Sequence, residues 1–284
     1  MPTQPPLNVT EAIQFGQLVN TTYATQPGDL TNAAGQSLTA GGVDYTVVTT
    51  IYANDLATDM NPSRVDDEVS IGLICQVDQT GDVVIAIRGT EGILEWIHDA
   101  EFLQVPCPFL VGAGHTEDGF TDMYESLRTG AAPNSPTVVG ALPNLSFPKS
   151  VGSVTVCGHS LGGALATLLA LDVAANTAFS NPAVYTYGSP RTGDSLFAGT
   201  YDQVVKNSSR IANRIDIVPA LPPPIDYEHV LNPYELNPVR LVPLPPKELV
   251  KSNVACEHSL QTYLYLLSLQ SGGPTLPLEP ACKP

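Results

Sequence analysis

Val154-Thr155-Val156-Cys157-Gly158-His159-Ser160-Leu161-Gly162-Gly163 is the stretch on which the reading of this chain turns. Its first four residues are apolar or β-branched and predict a buried strand over 153–157. Beyond Gly162 the sequence becomes rich in Ala and Leu and predicts a helix over 162–175. Between the two lies the pattern G-x-S-x-G. On a sharp strand-to-helix turn, side chains larger than hydrogen at Gly158 and Gly162 would collide, while Ser160 is pushed into the open. Its Oγ then sits at a helix N-terminus, where free N–H groups favour developing negative charge. The same five residues also fit a glycine-rich turn with a surface serine, but the flanking strand and helix favour a nucleophile.

Working outward, Asn8-Val9-Thr10-Glu11 has the form of a capping box, followed by Ala12, Phe15, Leu18, Val19 and Tyr23 at helical spacing. Strand patterns follow at 44–53 and 69–77, then a turn at Asp78-Gln79-Thr80-Gly81 and a further strand at 82–88. Phe120, Met123, Tyr124 and Leu127 predict a second amphipathic helix. Strands are expected at 183–187 and within 209–217, and a closing helix at 261–269. Strands alternating with helices argue for an α/β fold with a mostly parallel central sheet flanked by helices. With no internal repeat and no long linker, residues 1–284 read as a single domain. The proline-rich stretches 219–224 and 238–246 read as rigid loops.

The composition excludes some functions. Lys and Arg number 12 against 28 Asp and Glu, a net charge of −16. Nucleic-acid backbones and anionic membrane surfaces are therefore not expected partners, because both are held chiefly by cations. At 43% hydrophobic and 14% charged residues, the chain has the material for one sizeable core. The apolar run 161–175 is broken by Gly162, Gly163 and Asp172 and is too short for a bilayer, so no transmembrane segment is expected. Met1-Pro2-Thr3-Gln4-Pro5-Pro6 has neither the basic start nor the apolar run of a signal peptide, as a mature secreted form or a cytoplasmic protein would not. Five cysteines, Cys75, Cys107, Cys157, Cys256 and Cys282, leave at least one unpaired within the chain. Cys75 and Cys157 lie in strand-like runs as buried thiols, and Cys256 with Cys282 is a candidate disulfide closing the C-terminal segment. None has metal-ligand spacing.

A nucleophilic serine needs a base, and the base an orienting acid. With this elbow the chain order is Ser, then Asp or Glu, then His. Only His229 and His258 follow Ser160 with acids between, and order alone places His258 ahead. His159 adjoins the nucleophile on a tight turn, where neighbours point apart, so packing is its expected role. His98 and His115 precede Ser160 and are expected at the surface or in loops. Among the acids, Asp216 in Ile215-Asp216-Ile217-Val218-Pro219 stands at the end of an apolar run, with Asp194, Asp202 and Asp226 as competitors.

Gly158-His159-Ser160-Leu161-Gly162-Gly163-Ala164-Leu165-Ala166 resembles the class 3 lipases, the family of fungal triacylglycerol lipases and feruloyl esterases. The resemblance extends over most of the chain: Ile87-Arg88-Gly89-Thr90, Gly119-Phe120 with Tyr124, Tyr185-Thr186-Tyr187-Gly188-Ser189-Pro190-Arg191 and Asn213-Arg214-Ile215-Asp216-Ile217-Val218-Pro219 are similar to successive blocks of that family. His115 stands two residues further from Gly119 than the family spacing and is given no role. Tyr227-Glu228-His229-Val230 resembles a block whose histidine is not the base. The resemblance implies an α/β-hydrolase fold and a triad of Ser160, Asp216 and His258. It also implies an oxyanion hole from the backbone N–H groups of Thr90 and Leu161, with the Thr90 hydroxyl assisting, an ester or lipid substrate, secretion, and no metal or organic cofactor.

After Thr90, the segment Glu91-Gly92-Ile93-Leu94-Glu95-Trp96-Ile97-His98-Asp99 places Ile93, Leu94, Trp96 and Ile97 on one helical face. Such a pattern commonly marks a short core-packing helix. In the resembling lipases this position is a lid, expected here at 91–99, with Gly92 as one hinge. Exposing Ile93, Leu94 and Ile97 to water would cost roughly 4–9 kcal/mol, most of it returned at an oil surface. Three readings follow: a lipase for acylglycerols, which the apolar lid favours; an esterase for soluble, aromatic or polymeric esters; and an inactive lipid-binding protein, against which the complete set Ser160, Asp216, His258 and Thr90 argues.

Overall fold

Val83–Ile87 and Val154–His159 are buried at every position, not at alternate ones. Strands buried on both faces need a cover on each, and this sheet has one. The computed structural model describes residues 6–24, 33–54, 68–90, 102–132, 134–231, 233–237 and 253–283. The expected lid at 91–99, with Ile93, Leu94, Trp96, Ile97 and His98, lies outside the described residues, as does the 238–246 loop.

The strands are β1 (Ser37–Ala40), β2 (Val43–Asn54), β3 (Glu68–Val77), β4 (Val83–Ile87), β5 (Gln104–Pro106), β6 (His115–Glu117), β7 (Val154–His159), β8 (Ala183–Tyr187), β9 (Asn207–Asn213) and β10 (Tyr234–Leu236). Helices are α1 (Val9–Ala24), α2 (Asp118–Glu125), α3 (Val138–Ala141), α4 (Leu161–Asn176), α5 (Ser195–Val204), α6 (Val254–His258) and α7 (Leu260–Ser271). The main sheet runs in the order β1-β2-β3-β4-β7-β8-β9-β10. Pairing is antiparallel from β1 to β4 and parallel from β4 to β10. β5 and β6 form a separate hairpin.

Alternation along β4 and β7 feeds two cores. Ile85, Ile87 and Val156 join α2, α4 and α5 on one face. Val84, Ala86 and Cys157 join α1 and α7 on the other. α4 is buried nearly all round, which explains its lack of a polar stripe. Its one acid, Asp172, accepts from Tyr124 Oη at 2.5 Å and from Asn176 Nδ2 at 2.6 Å, so the buried carboxyl keeps partners. Among the described residues, no helix is long and apolar enough to cross a membrane.

The expected strand within 209–217 ends early, at Asn213. The Asn213 carbonyl there accepts from Asp216 N at 3.0 Å, closing a turn instead of extending the ladder. Asp216 thus stands in a loop beyond the sheet, not at the end of a strand. α1 starts as its capping box predicts, with Glu11 N donating to Asn8 Oδ1 at 3.3 Å. Cys256 and Cys282 are joined in a disulfide; Cys75, Cys107 and Cys157 are free and buried. Burial pushes the Cys75 thiol up to about 12 and Cys157 higher still, so neither supplies a thiolate near neutral pH.

Candidate active site

The parallel strands all end on one side of the molecule, and there the chain gathers its reactive groups, as open α/β sheets do. Ser160 follows β7 and caps α4 with φ 61° and ψ −131°, a left-handed strain rarely tolerated outside glycine. Three glycines make that turn possible. A Cβ on Gly158 would lie 2.0 Å from the Gly162 carbonyl oxygen, and one on Gly162 would lie 2.4 Å from that of Arg88. A Cβ on Gly89 would meet Ser160 Cβ at 2.7 Å. The end of β4 therefore passes directly against the serine turn, bringing Thr90 beside it.

Ser160 Oγ is 2.7 Å from His258 Nε2, and His258 Nδ1 is 2.7 Å from Asp216 Oδ2. With Asp216 accepting, Nδ1 carries the proton and Nε2 is left to accept from the serine hydroxyl. All three side chains are buried, Asp216 at 6% exposure and His258 at 4%. Asp216 has further donors: Tyr263 Oη at 2.7 Å to Oδ2 and Val218 N at 3.0 Å to Oδ1. Gly188, at φ 59°, leaves room for this assembly, since a Cβ there would stand 3.1 Å from His258 Cε1 and 3.2 Å from Asp216 Oδ2.

Other histidines and acids are engaged elsewhere. His229 Nε2 donates to the Pro219 carbonyl at 2.6 Å. Burial, then the Arg210 charge, pushes His229 down to about 3, so it stays neutral and clamps the loop that follows Asp216. Asp194 caps α5 and bonds His115 Nδ1 at 3.0 Å; Asp202 accepts from Leu231 N at 3.1 Å; Asp226 is exposed. None of these three acids faces His258.

His159 does more than pack. Its Nδ1 is 2.7 Å from Tyr23 Oη, which also accepts from Gly89 N at 2.7 Å. The His258 carbonyl, 2.8 Å from Nε2, can only accept, so Nε2 carries the proton and Nδ1 of the neutral ring accepts from the Tyr23 hydroxyl. Burial and the neighbouring His258 hold His159 well below the usual histidine range, in keeping with this neutral tautomer. One chain of hydrogen bonds thus ties Gly89, the residue before Thr90, to the backbone of His258. Neither Tyr23 nor Tyr263 is marked by a local motif; both reach the site across long sequence separations.

Leu161 is the first residue of α4, so its N–H belongs to the open end of that helix. Thr90 lines a cavity together with His258. Serine, base and acid in this order, a helix N-terminus beneath the serine and a second strand end beside it are the parts that acyl transfer requires.

Comparison with known proteins bears on the same assembly. A phospholipase A1-II 7 of Oryza sativa subsp. indica is 27% identical over 92% of this chain and 77% of its own length. A secreted mono- and diacylglycerol lipase 1 of Fusarium solani is 32% identical over 62% of this chain and 50% of its own length, so the match spans half of that relative. The triacylglyceride lipase structure from Rhizomucor miehei superposes with a TM-score of 0.61 at 26% identity, covering 80% of each chain. Its fold is the α/β hydrolase built here around β4 to β10. The family model for class 3 lipases matches residues 84–225, half of the chain, from β4 across the serine turn to the loop beyond Asp216, and this chain therefore belongs to the class 3 lipase family.

Proposed function

We propose that the protein is a serine carboxylic-ester hydrolase that cleaves acylglycerol esters through an acyl-enzyme on Ser160. The unbroken path from Ser160 Oγ through the His258 ring to Asp216 carries this reading. His258 Nε2 takes the serine proton as Oγ attacks the ester carbonyl. The Thr90 and Leu161 amides accept the charge that appears on the carbonyl oxygen, each worth about 100- to 1,000-fold in turnover. Asp216 holds the imidazole in its tautomer and stabilises the imidazolium, and protonated His258 then hands its proton to the departing alcohol. Water repeats the sequence on the acyl-enzyme.

Gating by the apolar segment 91–99 is part of the proposal and rests on its sequence pattern. The names of the relatives support a lipid ester as substrate, and the Fusarium relative is named as secreted. The Cys256–Cys282 disulfide fits an oxidising compartment, so we infer secretion as well.

Initial rates on tributyrin across its solubility limit test the reading, with Ser160→Ala as the blank. A rate that rises sharply once droplets form, and is lost in the blank, is the result expected of a lidded lipase. A rate saturated below the limit assigns an esterase without interfacial gating. Unchanged activity in Ser160→Ala overturns the mechanism.

A further inference from the structure

Acyl transfer on Ser160 needs two groups that arrive from different parts of the fold. Thr90 follows the end of β4, which pairs with β3 and β7, whereas His258 ends α6, which packs on α7. The strand ladder therefore places the first and not the second. Both must keep their relation to Ser160, because a misplacement of about 1 Å can cost on the order of 100-fold in rate.

Tyr23 and His159 bridge that gap. Tyr23 lies in the last turn of α1, and His159 is the final residue of β7, next to Ser160. Gly89 N donates to Tyr23 Oη at 2.7 Å, Tyr23 Oη donates to His159 Nδ1 at 2.7 Å, and His159 Nε2 donates to the His258 carbonyl at 2.8 Å. The two ends of this chain have a fixed sense, since a peptide N–H can only donate and a carbonyl can only accept. Tyr23 and His159 each accept on one side and donate on the other, and bonds aligned in one sense strengthen one another.

Each end grips close to the atom that matters. Rotation about the Gly89 Cα–C bond turns the peptide that carries the Thr90 N–H. A Cβ on Gly89 would stand 2.8 Å from Tyr23 Oη and 2.9 Å from the His159 carbonyl oxygen, so glycine is what lets the hydroxyl approach. The same missing side chain leaves that peptide loose unless something holds it, and the hydroxyl does. At the other end, His159 holds His258 twice. It bonds the carbonyl, and its ring lies against the His258 ring with centroids 4.7 Å apart and planes inclined by 30°. Asp216 holds the Nδ1 edge of the same ring.

We propose that Tyr23 and His159 are positioning residues that together keep the Thr90 oxyanion donor and the His258 base aligned about Ser160. This role rests on the ester-hydrolase reading and adds to it two residues that take no part in the proton transfers themselves.

The test combines steady-state rates on 4-nitrophenyl octanoate in nonionic micelles with inhibition by butylboronic acid, whose tetrahedral adduct on a serine calls on the same oxyanion donors. Tyr23→Phe removes one hydroxyl and little else. It is expected to lower kcat about tenfold with KM within about twofold of wild type, and to weaken the boronate in proportion to kcat. His159→Ala is expected to lower kcat further, and His159→Gln, whose Nε2 can reach the His258 carbonyl, to recover part of that loss. In Tyr23→Phe/His159→Ala the combined loss is expected to fall well short of the product of the two single losses, as for members of one chain. A kcat within about twofold of wild type in Tyr23→Phe, a loss carried by KM alone, or single losses that simply multiply overturn the positioning role. Wild-type protein that hydrolyses no ester, or an unchanged rate in Ser160→Ala, overturns the proposed function instead.

Discussion

Tyr263 is where one atom has the widest reach in the site. Its hydroxyl donates to Asp216 Oδ2 and accepts from Asn213 N at 3.0 Å, inside a region with no access to water. Replacing it by Phe leaves the Asn213 N–H unpaired and takes a donor from Asp216, a loss of about 1–3 kcal/mol. Tyr263→Phe is expected to lower kcat about tenfold with KM nearly unchanged, and to lower the urea midpoint; steady-state kinetics and denaturation measure the two separately. A kcat within twofold of wild type would show that Val218 N alone suffices to hold the acid. Gly162→Ala is the harsher change. Its Cβ must push away the Arg88 carbonyl, and with it the strand end bearing Thr90, so turnover is expected to fall about 100-fold or more, as on losing an oxyanion donor. The residues proposed here as serine, base and acid could be named from motif, chain order and family resemblance, because these are local or ordinal signals. Tyr23 and Tyr263 were not, because their partners lie 66 and 47 residues away and nothing beside them marks the contact.

At the scale of elements, the helix bearing His258, the proposed base, is the least self-sufficient part of the site. α6 has five residues, too few to hold itself. It is fixed by an Asn253 cap on Cys256 N at 2.9 Å, by Asn213 Nδ2 on the Glu257 carbonyl at 2.9 Å, by His159 on the His258 carbonyl, and by the disulfide to the tail. The disulfide closes a loop with a sequence separation of 26 residues. Chain entropy assigns such a loop about 3.5 kcal/mol. Reduction, or Cys282→Ser, is therefore expected to lower the stability of the whole chain by about that amount. Activity is expected to fall at lower denaturant concentration than far-UV circular dichroism, because α6 loosens before the sheet. Coincident losses would mean that the three hydrogen bonds hold His258 without the tail. The sequence predicted the long elements to within a few residues, since their apolar runs and stripes are the packing itself. It missed α6, which is too short for an apolar stripe and is marked only by the capping Asn253, and α5, which starts at the capping Asp194 and buries Phe197, Ala198 and Tyr201 on one face. It also ran β9 too far, because Ile215 and Ile217 continue the strand pattern while the Asn213 carbonyl has already turned to Asp216 N.

Across the whole molecule, three buried groups give stability a definite dependence on pH. Burial raises the Glu117 carboxyl, from an ordinary value of 4.5, to about 7. Burial and Arg210 lower His229 from 6.5 to about 3, and burial with His258 lowers His159 well below 6.5. Between pH 4.5 and 7 the native state binds a proton at Glu117 that the unfolded chain does not, so this group's contribution is full below 4.5, is lost as pH rises through 7, and is level beyond that, where both states are ionised. The two histidines act in the opposite sense: below 6.5 the unfolded chain protonates them and the native state does not, so their contribution is lost on acidification. Two protons outweigh one, and the maximum is expected near pH 6.5, with a small fall on the alkaline side that levels off once Glu117 is ionised and a longer, larger one on the acid side. Glu117→Gln separates the terms, because the amide oxygen can keep the bond that Glu117 Oε2 makes with Phe120 N at 2.7 Å while removing the charge. In that variant the alkaline fall should vanish and the acid fall remain, and melting temperatures at fixed ionic strength from pH 5 to 9 measure both. Fixed ionic strength is essential, because a chain of net charge −16 also repels itself at alkaline pH. An alkaline fall that persists in Glu117→Gln, yet disappears in about 0.5 M salt where the screening length is only a few ångströms, would assign it to that repulsion and not to the buried carboxyl.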